Sequence, residues 1–179
     1  MTLLEQVFFD GLIIAAPLIY LALIDKVKGG GKLLSGLGLF FREPKTEIKN
    51  AAWLFCALFL VSAALSTLLT IAGMNDLNLV QEKLGFLKNQ PIYIFGYLII
   101  VRVFSEEVFF RGFLAKKTGI WVSSAFFALA HFGYGSIAEI LGAFVLGALL
   151  AHAYRANKNI IPGIFAHMAY NFMAIGWLM

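Results

Sequence analysis

Glu106 and Glu107 stand side by side in an apolar stretch, and Arg111 follows Glu107 by four positions. Phe127 precedes His131 by four, and His167 precedes Asn171 by four. Carboxylates and imidazoles move protons near neutral pH or hold a metal, and asparagine adds a neutral donor and acceptor. Gathered out of water, such a set can activate a water molecule, bind zinc or relay protons. Charges within a membrane helix are costly, so they mark either function or an internal pair. Glu107 and Arg111, four apart, share a helix face and can form a purely structural ion pair. Glu106 points about 100° away from Glu107, which leaves it free of that pair and able to sit beside histidine and water.

These groups meet only if the helices that carry them hold them at one depth. Six apolar stretches are long enough, or nearly so, to span a bilayer: Val7–Ile24, Ala51–Ala72, Pro91–Ala115, Ile120–Phe132, Ile137–Tyr154 and Ile160–Leu178. The fourth is short and needs its neighbours to shield its ends. With a rise of 1.5 Å per residue and an edge near residue 117, Glu106 lies roughly 16 Å in and His131 roughly 20 Å. Counted from Lys158, His167 lies roughly 14 Å in and Asn171 roughly 20 Å. Three stretches therefore place their ionisable groups in one slab near mid-membrane.

Composition agrees. Hydrophobic residues make up 61% of the 179 and mean hydropathy is +0.86. Charged residues are 13%, about half the roughly 25% usual in soluble domains. The expected fold is all-α, a polytopic integral membrane bundle of about six transmembrane helices. It forms a single domain over 1–179, with the motif region at about 91–178. Lys26, Lys28, Lys32, Arg42, Lys45, Lys49, Lys116, Lys117, Arg155 and Lys158 fall in three loops on one side, against Lys83 and Lys88 on the other. The positive-inside rule puts the basic side in the cytoplasm and both termini outside. The net charge of +4 thus reads as topology and lipid contact, with no nucleic-acid partner. Glu5 and Asp10, in place of a basic stretch, make the first apolar run a mature helix rather than a cleaved signal.

Other features read as structural. Ala143, Gly147 and Ala151 recur every four residues and allow close helix approach. Leu77, Val80, Leu84 and Leu87 keep helical spacing and suggest a helix lying on the membrane surface. Cys56, the single cysteine, reads as a small core residue. Arg102 and Glu139 have no motif behind them and read as interfacial or helix-facing. His152, a turn from Arg155, reads as structural.

Glu106-Glu107-x-x-x-Arg111, Phe127-x-x-x-His131 and His167-x-x-x-Asn171 together resemble the three motifs of the CAAX protease and bacteriocin-processing (Abi) family, whose type II CAAX prenyl endopeptidases are glutamate-type intramembrane proteases. The resemblance implies that Glu106, assisted by His131, activates a water, and that His167 and Asn171 donate to the oxyanion. It makes Glu107 and Arg111 orienting or charge-balancing groups, with Phe127 lining the site. It also implies a peptide or protein substrate in or at the membrane, no cofactor and no metal. The compact chain fits a prokaryotic cell membrane. Two other readings stand beside this one. Two histidines and a glutamate can ligate zinc, although the His-Glu-x-x-His signature is missing. The cluster can also serve a small transporter or a self-immunity protein, which is not an enzyme. Oligomeric state is not legible.

Overall fold

The computed structural model describes residues 3–178, and its helices follow the apolar stretches. Helix α1 covers Leu3–Leu23, α2 the short Gly30–Gly36, α3 Pro44–Ile71 and α4 Asn78–Leu84. Residues 92–118 form one helical run, α5, in which α and π turns alternate. Helix α6 is Ile120–Ala130, α7 is Ile137–Asn157 and α8 is Ile161–Leu178. No strand occurs among the described residues. Leu4–Leu23, Pro44–Ile71 and Ile137–Asn157 are long and apolar enough to cross a membrane.

Helix boundaries follow local chemistry. Pro44 opens α3 at a position where its missing N–H costs nothing. Gly119, at φ +92°, separates α5 from α6. Ser136 caps α7, its hydroxyl accepting from the Glu139 N–H at 3.0 Å. Helix α7 sits centrally and touches α3, α5, α6 and α8. Its Gly147 lets α6 and α5 close in, since a Cβ there would lie 3.0 Å from the Phe127 ring. Gly112 on α5 is packed tighter still, because a Cβ would meet the Leu37 carbonyl oxygen at 2.6 Å.

The outer surface is apolar. Trp53, Ile71, Trp121 and Phe126 are each more than half exposed. That much bare hydrophobic surface belongs against lipid, and the chain is an integral membrane protein. Cys56 is exposed on the same outer face of α3, not in the core as its apolar surroundings suggested. Helix α4 also differs from expectation. Val80, Leu84 and Leu87 are buried against Ile94, Leu98, Tyr134 and Ile175, so its apolar stripe faces the bundle.

Asp76, in the loop after α3, fastens that loop to the start of α7. Its carboxylate accepts from Ser136 Oγ at 2.6 Å and from the Ile137 and Ala138 N–H groups at 2.8 and 2.9 Å. The Ser136 hydroxyl first, then the two amides, hold this carboxyl below its ordinary value. A group whose folded value is depressed contributes stability above its unfolded value and loses that contribution as pH falls through the folded one. Asp76→Asn is therefore expected to lower the melting temperature at neutral pH. The gap from wild type should close on acidification through the carboxylate range; a gap independent of pH would contradict this.

Candidate active site

Helix α5 carries an unusual run of buried polar groups: Ser105, Glu106, Glu107 and Arg111 are each 6% exposed or less. A π turn at Leu98–Arg102 precedes this run, and a second, Glu107–Ala115, carries Glu107 and Arg111. Such turns are rare and often sit at functional sites. Ser123 of α6 donates to the Phe110 carbonyl within the second π stretch at 2.6 Å.

The two glutamates have different partners. Glu106 Oε1 lies 3.2 Å from Arg102 Nε. Glu107 Oε1 lies 3.2 Å from Arg111 Nη1 and accepts from His167 Nδ1 at 2.9 Å. The carboxylate beside a histidine is thus Glu107, whereas spacing alone left that place to Glu106. Rotation of each helix about its own axis decides this, and i to i+4 counting does not contain it. Arg111 is at ion-pair distance from Glu107, but its angles make no hydrogen bond, and none of its three guanidinium nitrogens has an acceptor among the described residues. Its charge rests instead on the Phe127 face, 4.1 Å from the ring centroid.

Phe127 is the hub between the elements. Its ring centroid lies 4.6 Å from that of His131 and 6.0 Å from that of His167. His131 ends α6 with φ −91° and ψ 0°, just before the Phe132–Tyr134 turn. Its Nδ1 is 2.8 Å from the Phe127 carbonyl oxygen. A carbonyl only accepts, so Nδ1 carries the proton and the neutral ring keeps its lone pair on Nε2. The same logic makes His167 Nδ1 the donor to Glu107.

Phe127, His131, His167 and Asn171 line one cavity of about 140 Å³, together with Tyr134, Glu139 and Tyr170. Four of the seven motif residues therefore share one space. Glu107 joins it through His167 and Arg111 through Phe127. Glu106 is not among the lining residues; Glu139 lies within electrostatic reach of both Glu106 and His131. A larger cavity of about 350 Å³ opens at the basic-loop end, among Asn50, Asn157 and Asn159, and ends on Glu107. Its lining holds no histidine, whereas that of the smaller cavity holds two. No group of three or more His, Cys, Asp or Glu is placed to hold a metal among the described residues.

Sequence reasoning set aside Glu139 and Arg102 and did not single out Tyr134, yet all three lie at or beside the site. The signal for Glu139 was the short turn, since only six residues between α6 and α7 keep it close to His131. For Arg102 it was the same four-residue spacing to Glu106 that flagged Glu107 and Arg111.

Residues 88–173 match the family model of type II CAAX prenyl endopeptidase Rce1-like proteins, a segment that holds all three motifs. No curated protein and no solved structure matches the chain. Residues 88–173, just under half of the chain, are thus similar to the CAAX protease family, whose members are endopeptidases of membrane-associated substrates.

Proposed function

We propose that this protein is an intramembrane endopeptidase that hydrolyses peptide bonds with a water activated by Glu106 and His131. The observation that carries this reading is the single cavity shared by His131, His167 and Asn171, inside the segment matched to a peptidase family. The cavity of about 140 Å³ has room for a peptide unit and a water, at about 30 Å³ per water molecule.

In this mechanism His131 Nε2 accepts a hydrogen bond from the water and aims it, while Glu106 takes its proton. The water oxygen attacks the scissile carbonyl. The Asn171 amide and His167 Nε2 then donate to the oxygen as it gains negative charge. Donation from Nε2 requires His167 to be doubly protonated, a charge that Glu107 balances from Nδ1. The proton on Glu106 passes to the leaving nitrogen as the C–N bond breaks, giving a carboxylic acid and an amine, and the acid then yields its proton to the amine. Glu107 and Arg111 orient the site, and Phe127 packs against both Arg111 and His131. The protein acts within a multi-pass membrane fold, and its substrate is a peptide or protein segment in or at the bilayer.

The test uses purified protein in liposomes with a set of membrane-anchored peptides, in water enriched in oxygen-18. Mass spectrometry should find one heavy oxygen at each new C-terminus, with turnover unchanged by a chelator. Loss of turnover on chelation, with stoichiometric zinc in the protein, would replace this mechanism by a zinc peptidase. No cleavage of any peptide, together with Glu106-dependent flux across the liposome wall, would make the protein a transporter.

A further inference from the structure

Asp10 is 1% exposed, a carboxylate enclosed where apolar α1 meets α5 and outside the segment that matches the family. Its Oδ2 accepts from the Tyr97 hydroxyl at 2.5 Å, and its Oδ1 lies 3.2 Å from Ser105 Oγ, whose one proton has the Arg102 carbonyl oxygen at 2.8 Å as its nearer acceptor. Arg102 Nη1 lies 3.8 Å from Oδ1, and Arg102 Nε lies 3.2 Å from Glu106 Oε1. The five groups form a chain: Tyr97 fixes Asp10 with Ser105 beside it, Asp10 holds Arg102, and Arg102 holds Glu106. An apolar residue would pack α1 against α5 without the cost of a buried charge, so packing alone does not account for an acid here.

We propose that Asp10 is a positioning residue for Glu106, acting through Arg102; this rests on the reading of Glu106 as the base. A guanidinium is a flat fork that binds a carboxylate through two nitrogens when it is free to turn. Held from the other side by Asp10, Arg102 approaches Glu106 Oε1 through Nε at 3.2 Å. One Glu106 oxygen then remains for the water. Without Asp10, the fork turns onto Glu106 and occupies both oxygens. The base is displaced and blocked, while the cavity that receives the substrate is untouched.

The test is a double-mutant cycle on peptide cleavage in liposomes, with melting temperature recorded for each variant. Asp10→Asn should lower kcat by about 10- to 100-fold, the range for a misplaced catalytic group, with KM unchanged. Asp10→Glu keeps the charge and should retain more of kcat than Asp10→Asn. Tyr97→Phe, which removes one tether and no charge, should give a smaller loss and covers the case in which Asp10→Asn does not fold. In an Arg102→Gln background, Asp10→Asn should cost nothing further, because coupled residues are not additive. Equal losses in both backgrounds, a change confined to KM, or kcat that tracks melting temperature across the set would each overturn the positioning role. Cleavage that depends on Glu106 but ignores both Asp10→Asn and Tyr97→Phe overturns this proposal alone. Cleavage that persists in Glu106→Gln overturns the underlying reading and this proposal with it.

Discussion

Glu106→Gln is expected to cut turnover by about 10²- to 10⁴-fold, the contribution of a positioned general base, with a melting temperature close to wild type. Glutamine has the shape of glutamate but cannot take a proton from water. The fold should tolerate the change because Arg102 does not lose its only counter-charge: Asp10 remains 3.8 Å away, and the guanidinium side chain is 27% exposed. Steady-state cleavage of a membrane-anchored peptide, beside thermal unfolding in the same detergent, checks both halves. Turnover within a few-fold of wild type would remove Glu106 from the mechanism.

The neighbouring substitution should behave differently. Glu107→Gln strips the counter-charge from Arg111, which is 1% exposed and has no other anion in contact among the described residues. Breaking a buried pair from one side costs about 3–5 kcal/mol. The Phe127 face at 4.1 Å returns only about 2 kcal/mol for a desolvated cation, so the charge penalty wins. We expect a sharply lower melting temperature, and activity lost with the fold. Adding Arg111→Met should recover much of the stability, since an apolar replacement of both partners is often neutral, without restoring cleavage. If Glu107→Gln melts like wild type, the pair contributes little to the fold. The two expected results together would mark Glu106 by its chemistry and Glu107 by what it holds up.

The contrast also marks how far the residues could be read without coordinates. Hydropathy located the helices because lipid-facing segments must be apolar along their whole length, and glycines such as Gly119 and Gly135, at φ +92° and +73°, punctuate them. Four-residue spacing paired Glu107 with Arg111 and put His167 a turn from Asn171. It did not say which glutamate meets His167, because that depends on how α5 and α8 turn toward each other and on π turns that leave no mark in spacing. Nor did it reveal Asp10 as a partner of Arg102, a contact 92 positions apart along the chain. The α4 stripe was legible as amphipathic, but lipid and a neighbouring helix are both apolar, so its direction was not. Cys56 illustrates the same ambiguity on α3.

The two cavities open toward opposite ends of the bundle, one among Asn50 and Asn157 and the other beneath Val80 and Tyr134. Leu150 borders both, and the Glu107–His167 contact stands between them. In a chain embedded in a bilayer, a continuous file of water from one end to the other would leak protons and drain the transmembrane voltage. The Glu107–His167 pair, with Leu150 beside it, lies where such a file would have to pass from one cavity to the other.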